Sequence, residues 1–305
     1  MPVCYTQNLV KLKIWFLETR PQFLLLSVVL AFLGTSIAWY DGAFHLGHAV
    51  LAFIGLLLCH ISVNVLNDYY DYISGIDLKT RRTPFSGGSG FLPAASLNPR
   101  HVLWFGLTCF LLAVPIGIYF VLVSGWPLLP LLIIATICIL LYTPLLTKLG
   151  WPEWAPGIGL GALPILGAYF IQTGEYTLPA VVASIPSGIL VHNLLLLNEF
   201  PDAEADKTAG RKTLPITMGG RGAGIVYSVL TVILYLWIIA WVAAGLMPVF
   251  CLIALATLPF AVRAIRGALS YQDESKLMPA MANNVLVVLL TQLLLGIGYI
   301  LAGVF

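Results

Sequence analysis

Stretches of about 17 to 25 predominantly apolar residues recur along the chain, at 22–40, 48–68, 102–123, 127–143, 155–172, 178–198, 224–246, 248–265 and 283–304, and each is long enough to cross a hydrocarbon core as a helix. Short polar connections separate them. The pattern predicts an all-α fold, a polytopic transmembrane helix bundle of about nine spans. The first stretch follows basic residues, as the apolar part of a secretory leader would. It is long for such a leader and lacks a clear small-residue cleavage site, so it reads as the first span. Before it, residues 1–21 form a basic, partly amphipathic lead with Trp15 and Phe16 that suits the inner interface.

Composition agrees with the pattern. Sixty percent of the residues are hydrophobic and 9% are charged, with a mean hydropathy of +0.96, against roughly 25% charged residues in a soluble domain. Charge placement then orients the bundle. With the N-terminus on the cytoplasmic side, all 15 Lys and Arg fall in cytoplasmic segments. The opposite connections, near 41–47, 124–126, 173–177 and 245–247, contain none, as expected for loops kept outside. The net charge of +2 therefore conceals an asymmetry across the membrane and gives no reason to expect a nucleic-acid partner. The five cysteines, Cys4, Cys59, Cys109, Cys138 and Cys251, have neither metal-ligand nor disulfide-framework spacing and read as small packing residues.

Against this apolar background two acidic groups stand out, and they contain seven of the 13 Asp and Glu. The first is Asn67-Asp68-Tyr69-Tyr70-Asp71 with Asp77, at the inner end of the second span. The second is Asn198-Glu199-Phe200-Pro201-Asp202 with Glu204 and Asp206, at the inner end of the sixth. Helical phase puts Asn64, Asn67, Asp68 and Asp71 on one face, and Asp202 and Asp206 with Asn198 on another. Gly75 is expected to end the first of these helices. Four spans separate the groups, so both reach the same side of the membrane. The chain is therefore expected to be one domain of two parallel pseudo-repeats, about 22–143 and 155–265, closed by a final span at 283–304.

Carboxylates and amide oxygens without suitably spaced His or Cys suit Mg²⁺, an ion that completes its shell with water and phosphate. Lys79, Arg81, Arg82, Lys148, Lys207, Arg211 and Lys212 lie close in sequence and would complement a polyphosphate. An amphiphilic diphosphate with a lipid tail fits both features. The long segment 72–100 has two readings, a lid whose Gly87, Gly88 and Gly90 offer N–H groups to phosphate, or a solvated connection. His60 and His192, one or two turns inside the acidic groups, read as core histidines or as proton carriers. Gly157, Gly159, Gly161 and Gly167 in the fifth span read as helix-packing positions.

The motif Asn67-Asp68-x-x-Asp71 with Asp77, paired with Asp202-x-x-x-Asp206, resembles those of the UbiA superfamily of intramembrane prenyltransferases, and the likeness covers most of the chain. Tyr142-Thr143-Pro144, Leu149-Gly150 with Glu153, Leu166-Gly167-Ala168-Tyr169 with Gln172, and Asp206-Lys207 with Gly210-Arg211-Lys212-Thr213-Leu214 are similar to the menaquinone branch. The resemblance implies a Mg²⁺-dependent enzyme of the bacterial inner membrane, its site facing the cytoplasm, that joins a polyprenyl diphosphate to an aromatic acceptor. The acceptor implied is 1,4-dihydroxy-2-naphthoate. It implies Asn67, Asp68, Asp71, Asp202 and Asp206 as the metal-holding set, and Asn67, Asn198, Lys79, Arg81, Lys207, Arg211 and Lys212 as diphosphate contacts. Tyr142 and Lys148 are expected at the reacting centre, and Tyr69, Tyr70, Tyr169 and Phe170 are further aromatics that could face a cation, or else sit in the core or interface. Other acceptors (homogentisate, hydroxybenzoate, a porphyrin or a lipid glycerol) and, in another class, a cation-coupled transporter remain the competing readings.

Overall fold

The computed structural model describes residues 11–305; Cys4 and the start of the basic lead lie outside them. Among the described residues there is no strand. The helices, in chain order, are α1 (Pro21–Tyr40), α2 (Leu46–Ile73), α3 (Pro99–Ser124), α4 (Trp126–Leu140), α5 (Trp154–Thr173), α6 (Leu178–Thr208), α7 (Gly219–Ala243), α8 (Val249–Leu269) and α9 (Glu274–Val304). Eight are long and apolar enough to cross a membrane, and α4 is shorter. The span expected at 127–143 thus stops early. Residues 141–147 leave the helix before Pro144 and turn back through Leu146–Lys148, because a residue preceding proline disfavours helical geometry.

Local chemistry sets the other ends. Asn98 Oδ1 accepts from the Arg100 N–H at 2.9 Å and Pro99 opens α3, while Thr177 caps α6 through the Ala180 N–H. Two helices run past their apolar stretches. α2 continues to Ile73, where Ser74 and the left-handed Gly75 (φ 78°) stop it, and α6 continues to Thr208. Both acidic groups therefore ride on rigid helix, one or two turns beyond the apolar run, except for Asp77, which lies in the turn after Gly75.

α2 packs along α3, while α9 lies against α1, α6 and α8. In a bilayer lipid is as apolar as the core, so close backbone approach and polar ties hold such helices together. α5 starts as a π-helical stretch over Gly157–Ala162, and a Cβ on Gly161 would come within 2.6 Å of the Ser187 carbonyl oxygen of α6. A buried network joins α6, α7 and α9. Asn193 Nδ2 donates to Tyr227 O (3.1 Å) and Thr231 Oγ1 (3.0 Å), Tyr227 OH donates to Asn284 Oδ1 (2.9 Å), and Asn284 Nδ2 returns to Asn193 O (3.2 Å). Exposed apolar side chains such as Leu111, Leu122, Val229 and Leu236 cover the outside, as lipid contact requires.

The close approach of α5 and α6 is testable. Gly161→Ala should lower stability by about 1–3 kcal/mol, the typical cost of overpacking, read as a drop in the thermal midpoint of the detergent-solubilised protein. A midpoint equal to that of the wild type would argue against contact at this position.

Candidate active site

α2 and α6 converge on one cavity of about 360 Å³. His60, Val63, Asn64, Asn67 and Asp71 line it from α2, and Leu194, Leu195, Asn198, Glu199, Asp202 and Asp206 line it from α6. These sets follow the three- and four-residue spacing of a helical face. The cavity is polar at the acidic end and apolar beyond, where Leu56, Ile116, Phe120, Leu131, Leu132 and Ile171 line it. It has the shape of a site for a molecule with a charged head and a hydrocarbon tail.

The two acidic groups are tied directly. Arg211 donates through Nη1 to Asp206 Oδ1 at 2.8 Å and through Nη2 to Asp71 Oδ1, so one guanidinium bridges the motifs. Burial opposes its charge, yet Asp71 and Asp206 raise its pKa above the ordinary value. Its position follows from the segment after α6, where the Arg211 N–H bonds Asp206 O and the Lys212 N–H bonds Thr147 O at 2.8 Å. Asn67 Nδ2 adds bonds to Asp71 Oδ2 and Thr143 Oγ1, both at 3.1 Å.

Asp68 is held differently. Its two oxygens accept from Arg20 Nη2 and from the Ser89 N–H, the latter at 2.8 Å, and the residue does not line the cavity. Arg20 does line it. It sits in the left-handed region (φ 55°) at the entry to α1, a strained conformation for a residue with a Cβ. In sequence Arg20 reads only as a cytoplasmic-side charge beside the Pro21 that opens the first span, and nothing local distinguishes it from the other basic residues. The segment after α2 folds over the acidic end. Ser86, Gly87 and Gly88 line the cavity, Ser86 and Gly87 face Asp202, and a Cβ on Gly88 (φ 72°) would lie 3.0 Å from Asp77 Oδ2, so a side chain is excluded there twice over.

The remaining sequence-derived positions divide. Tyr142 lines the cavity with Thr147, whereas Lys79, Arg81, Lys148, Lys207 and Lys212 are exposed and line none of it. Arg81 pairs with Glu274 at 2.8 Å and Lys79 reaches Thr208 Oγ1 at 3.4 Å. Tyr169 is at the far end of α1, where its OH donates to Asp41 Oδ2 at 2.6 Å, about 30 Å from Arg20 along a helix of this length. Phe170 stacks on Tyr176, and Tyr69 packs with Val65 and Val102. His192 Nε2 accepts from Trp151 Nε1 at 2.8 Å, which makes it a tie between α6 and the α4–α5 connection, and His60 shares a hydrogen bond with Ser27 Oγ at 2.8 Å.

Three buried oxygens at the acidic end, Asp77 Oδ2, Asn198 Oδ1 and Asp202 Oδ1, have no hydrogen-bond partner, and all three residues line the cavity. Buried acceptors without partners are costly, and a hard divalent cation would satisfy them. Among the described residues no three His, Cys, Asp or Glu side chains stand close enough to hold an ion unaided, so such a cation would need further oxygens from its ligand. Asp77 is pushed up to about 7 by burial and by the charges of Asp71 and Asp68.

Glu18 extends the site outward. It is fully buried, and its Oε2 accepts from Ser89 Oγ at 2.6 Å. Burial, then the charge of Asp68, pushes its pKa up to about 8 from 4.5. Between those two values the folded protein binds more protons at Glu18 than the unfolded chain does, so this residue makes stability fall as pH rises from about 4.5 to about 8. Glu18→Gln should flatten the decline of the thermal midpoint across that window. A variant profile parallel to the wild-type one would remove Glu18 as its source.

With the geometry in place, comparison with known proteins is specific. The model of the UbiA prenyltransferase family matches residues 25–300. The chain is 29% identical over 291 residues to the 1,4-dihydroxy-2-naphthoate octaprenyltransferase of Bacillus subtilis, covering 93% of itself and 91% of that relative. It is 24% identical to the enzyme of the same name from Escherichia coli, covering 97% and 98%. It is also 29% identical to the digeranylgeranylglyceryl phosphate synthase of Thermococcus kodakarensis, covering 73% and 75%. Among solved structures, an apo UbiA homologue from Aeropyrum pernix K1 superposes with a TM-score of 0.65 at 17% identity over 92% of this chain and 97% of that one. A UbiA homologue from Archaeoglobus fulgidus bound to GPP and Mg²⁺ gives 0.59 at 16% identity, over 92% and 99%. Two acidic motifs meeting over one tail-shaped cavity, in a helical membrane bundle matched by the family model over nearly its whole length, place this chain in the UbiA prenyltransferase family.

Proposed function

We propose that the protein transfers a polyprenyl group from its diphosphate to an aromatic acceptor, 1,4-dihydroxy-2-naphthoate, in menaquinone biosynthesis. The observation that carries this reading is Arg211 bridging Asp71 and Asp206 at the polar end of a cavity whose remainder is apolar. The names of the Bacillus subtilis and Escherichia coli relatives support the acceptor, and the GPP and Mg²⁺ bound to the Archaeoglobus fulgidus homologue support the donor class and the ion.

In this proposal Asp71, Asp202 and Asp206, with Asn67 and, once Arg20 releases it, Asp68, would hold Mg²⁺. Asn198 and Arg211 would contact the diphosphate. Bound Mg²⁺ supplies charge neutralisation to the departing diphosphate. Arg211 and Arg20 add fixed positive charge in a site shielded from water, where it counts most. The allylic C–O bond breaks and its electron pair leaves on the diphosphate. Tyr142 presents an aromatic wall beside the resulting carbocation, and the apolar lining keeps water from capturing it. A ring carbon of the acceptor forms the new C–C bond. With the naphthoate, the carboxylate at that carbon leaves as CO₂ and its bonding pair restores the ring. Segment 72–100 acts as the lid, since Ser86, Gly87 and Gly88 already stand over the acidic end.

The exposed Lys79, Arg81, Lys148, Lys207 and Lys212 form a basic rim that draws the anionic donor in, a long-range role that needs no contact. Their clustering also supports a cytoplasm-facing site in a bacterial inner membrane. The pseudo-repeats at 22–143 and 155–265, with the closing span 283–304, belong to the same proposal. In support, α2 and α6 each take the second place in their repeat and end in the same type of motif. A lipid glycerol acceptor is the second reading, favoured by the likeness to the Thermococcus kodakarensis synthase.

Asp71→Asn and Asp202→Asn should each reduce transfer of a labelled prenyl chain by at least about 100-fold. EDTA should abolish wild-type transfer and excess Mg²⁺ restore it. Full activity in both variants would remove the carboxylates from the chemistry, and a panel of acceptors with one fixed donor decides between naphthoate and lipid glycerol.

A further inference from the structure

Glu199 is part of the second acidic group, yet nothing above uses it. It is 6% exposed and lines the cavity, and its Oε2 is buried without a hydrogen-bond partner. No basic side chain answers it with an ion pair, because Arg211 is committed to Asp71 and Asp206. Behind it lies Glu153, whose carboxyl abuts that of Glu199. Glu153 is itself fully buried and anchored by the Leu214 N–H at 2.6 Å, and its enclosed Oε2, like that of Glu199, has only the other carboxyl to share a proton with.

A buried carboxyl on a helix that could carry leucine at this position is costly unless a ligand uses it, by the general cost of burying such a group. Its height in the site indicates which part of the ligand that is. Glu199 precedes Asp202 by three residues on the same face of α6, about 4.5 Å deeper into the membrane. The diphosphate occupies the level of Asp202 and Asp206, so Glu199 stands level with the first carbons of the donor, where the acceptor ring must arrive. Tyr142 and Thr147 line the same cavity. The other oxygen of Glu199, Oε1, is not enclosed in this way, and on the cavity side it is an acceptor for an O–H group; a ring hydroxyl is the donor that an aromatic substrate carries.

We infer that Glu199, held in place by Glu153, is the residue that recognises the acceptor, through a hydrogen bond from a ring hydroxyl to its carboxyl oxygen. This inference rests on the proposed aromatic transfer. Its role is separate from that of the metal-holding set, which grips the donor. A phenol or quinol is accepted because it satisfies the cavity-side oxygen of Glu199, and the corresponding methyl ether is rejected because it leaves that oxygen bare.

The test compares 1,4-dihydroxy-2-naphthoate with its 1,4-dimethyl ether in full-length wild type, Glu199→Leu and Glu199→Gln, by kcat/KM for transfer and by the ligand-induced rise in thermal midpoint. The wild type should prefer the hydroxyl compound by at least about 100-fold, as sites built around a substrate hydroxyl do. Glu199→Leu should shrink that ratio at least about tenfold while the KM for the prenyl diphosphate stays the same. Glu199→Gln, whose amide N–H₂ can face Glu153 and whose oxygen can face the ring, should keep most of the preference. An unchanged ratio in Glu199→Leu overturns the inference, as does a loss of preference shared equally by Leu and Gln. Should the Leu variant not fold, Glu199→Asp, which withdraws the carboxyl by one methylene, takes its place with the same expected loss. If the wild type transfers to neither compound yet its midpoint still discriminates between them through Glu199, the proposed reaction fails and the recognition stands.

Discussion

Negative charge that is taken below the membrane surface has to be answered, and in this protein arginine answers it. Arg211 spans Asp71 and Asp206, and Arg20 engages Asp68. Unpaired carboxylates at these depths would repel one another and resist burial, so without the two arginines α2 and α6 could not bring their acidic ends to one cavity. Two arginines meet three carboxylates there, and Asp77 and Asp202 have no basic partner among the described residues, so the pairing leaves a place for a cation. What arrives must offer the carboxylates at least as much as the arginines do, and a divalent ion carrying a diphosphate does so.

The rest of the architecture serves that meeting point. Glycine at 161 lets α5 approach α6, and the Asn193, Tyr227 and Asn284 network fixes α6 against α7 and α9. The connection between α4 and α5 reaches the segment that carries Arg211 through Thr147, and Glu153 holds the start of Leu214–Thr217. The segment carrying Arg211 is therefore held from the α4–α5 side as well as from the end of α6.

Much of this was legible in the chain. Apolar run lengths gave the helical bundle, and the phase of Asn64, Asn67, Asp68 and Asp71 gave the face that lines the cavity except for Asp68, which turns to Arg20 and the Ser89 N–H instead. Gly75 ends α2 as its type and place suggested. Other features depend on tertiary contact and have no local signature. The exposed lysines and arginines looked equivalent to Arg211 in sequence, and only the fold shows that Arg211 turns inward while Lys148 and Lys212 stay outside. Tyr169 shares the aromatic character of Tyr142 but sits at the opposite end of its helix, tied to Asp41. Arg20 and Glu18 lie about 50 residues from the motif they support, and no spacing rule connects them.

The brevity of α4 has a consequence for the surrounding bilayer. At 1.5 Å per residue Trp126–Leu140 extends only about 22 Å, against roughly 30 Å of hydrocarbon. Lipids on that flank must compress or tilt to meet it. Leu131, Leu132 and Cys138 of the same helix line the cavity, so the short helix to which the surrounding lipid must adapt is also a wall of the substrate chamber.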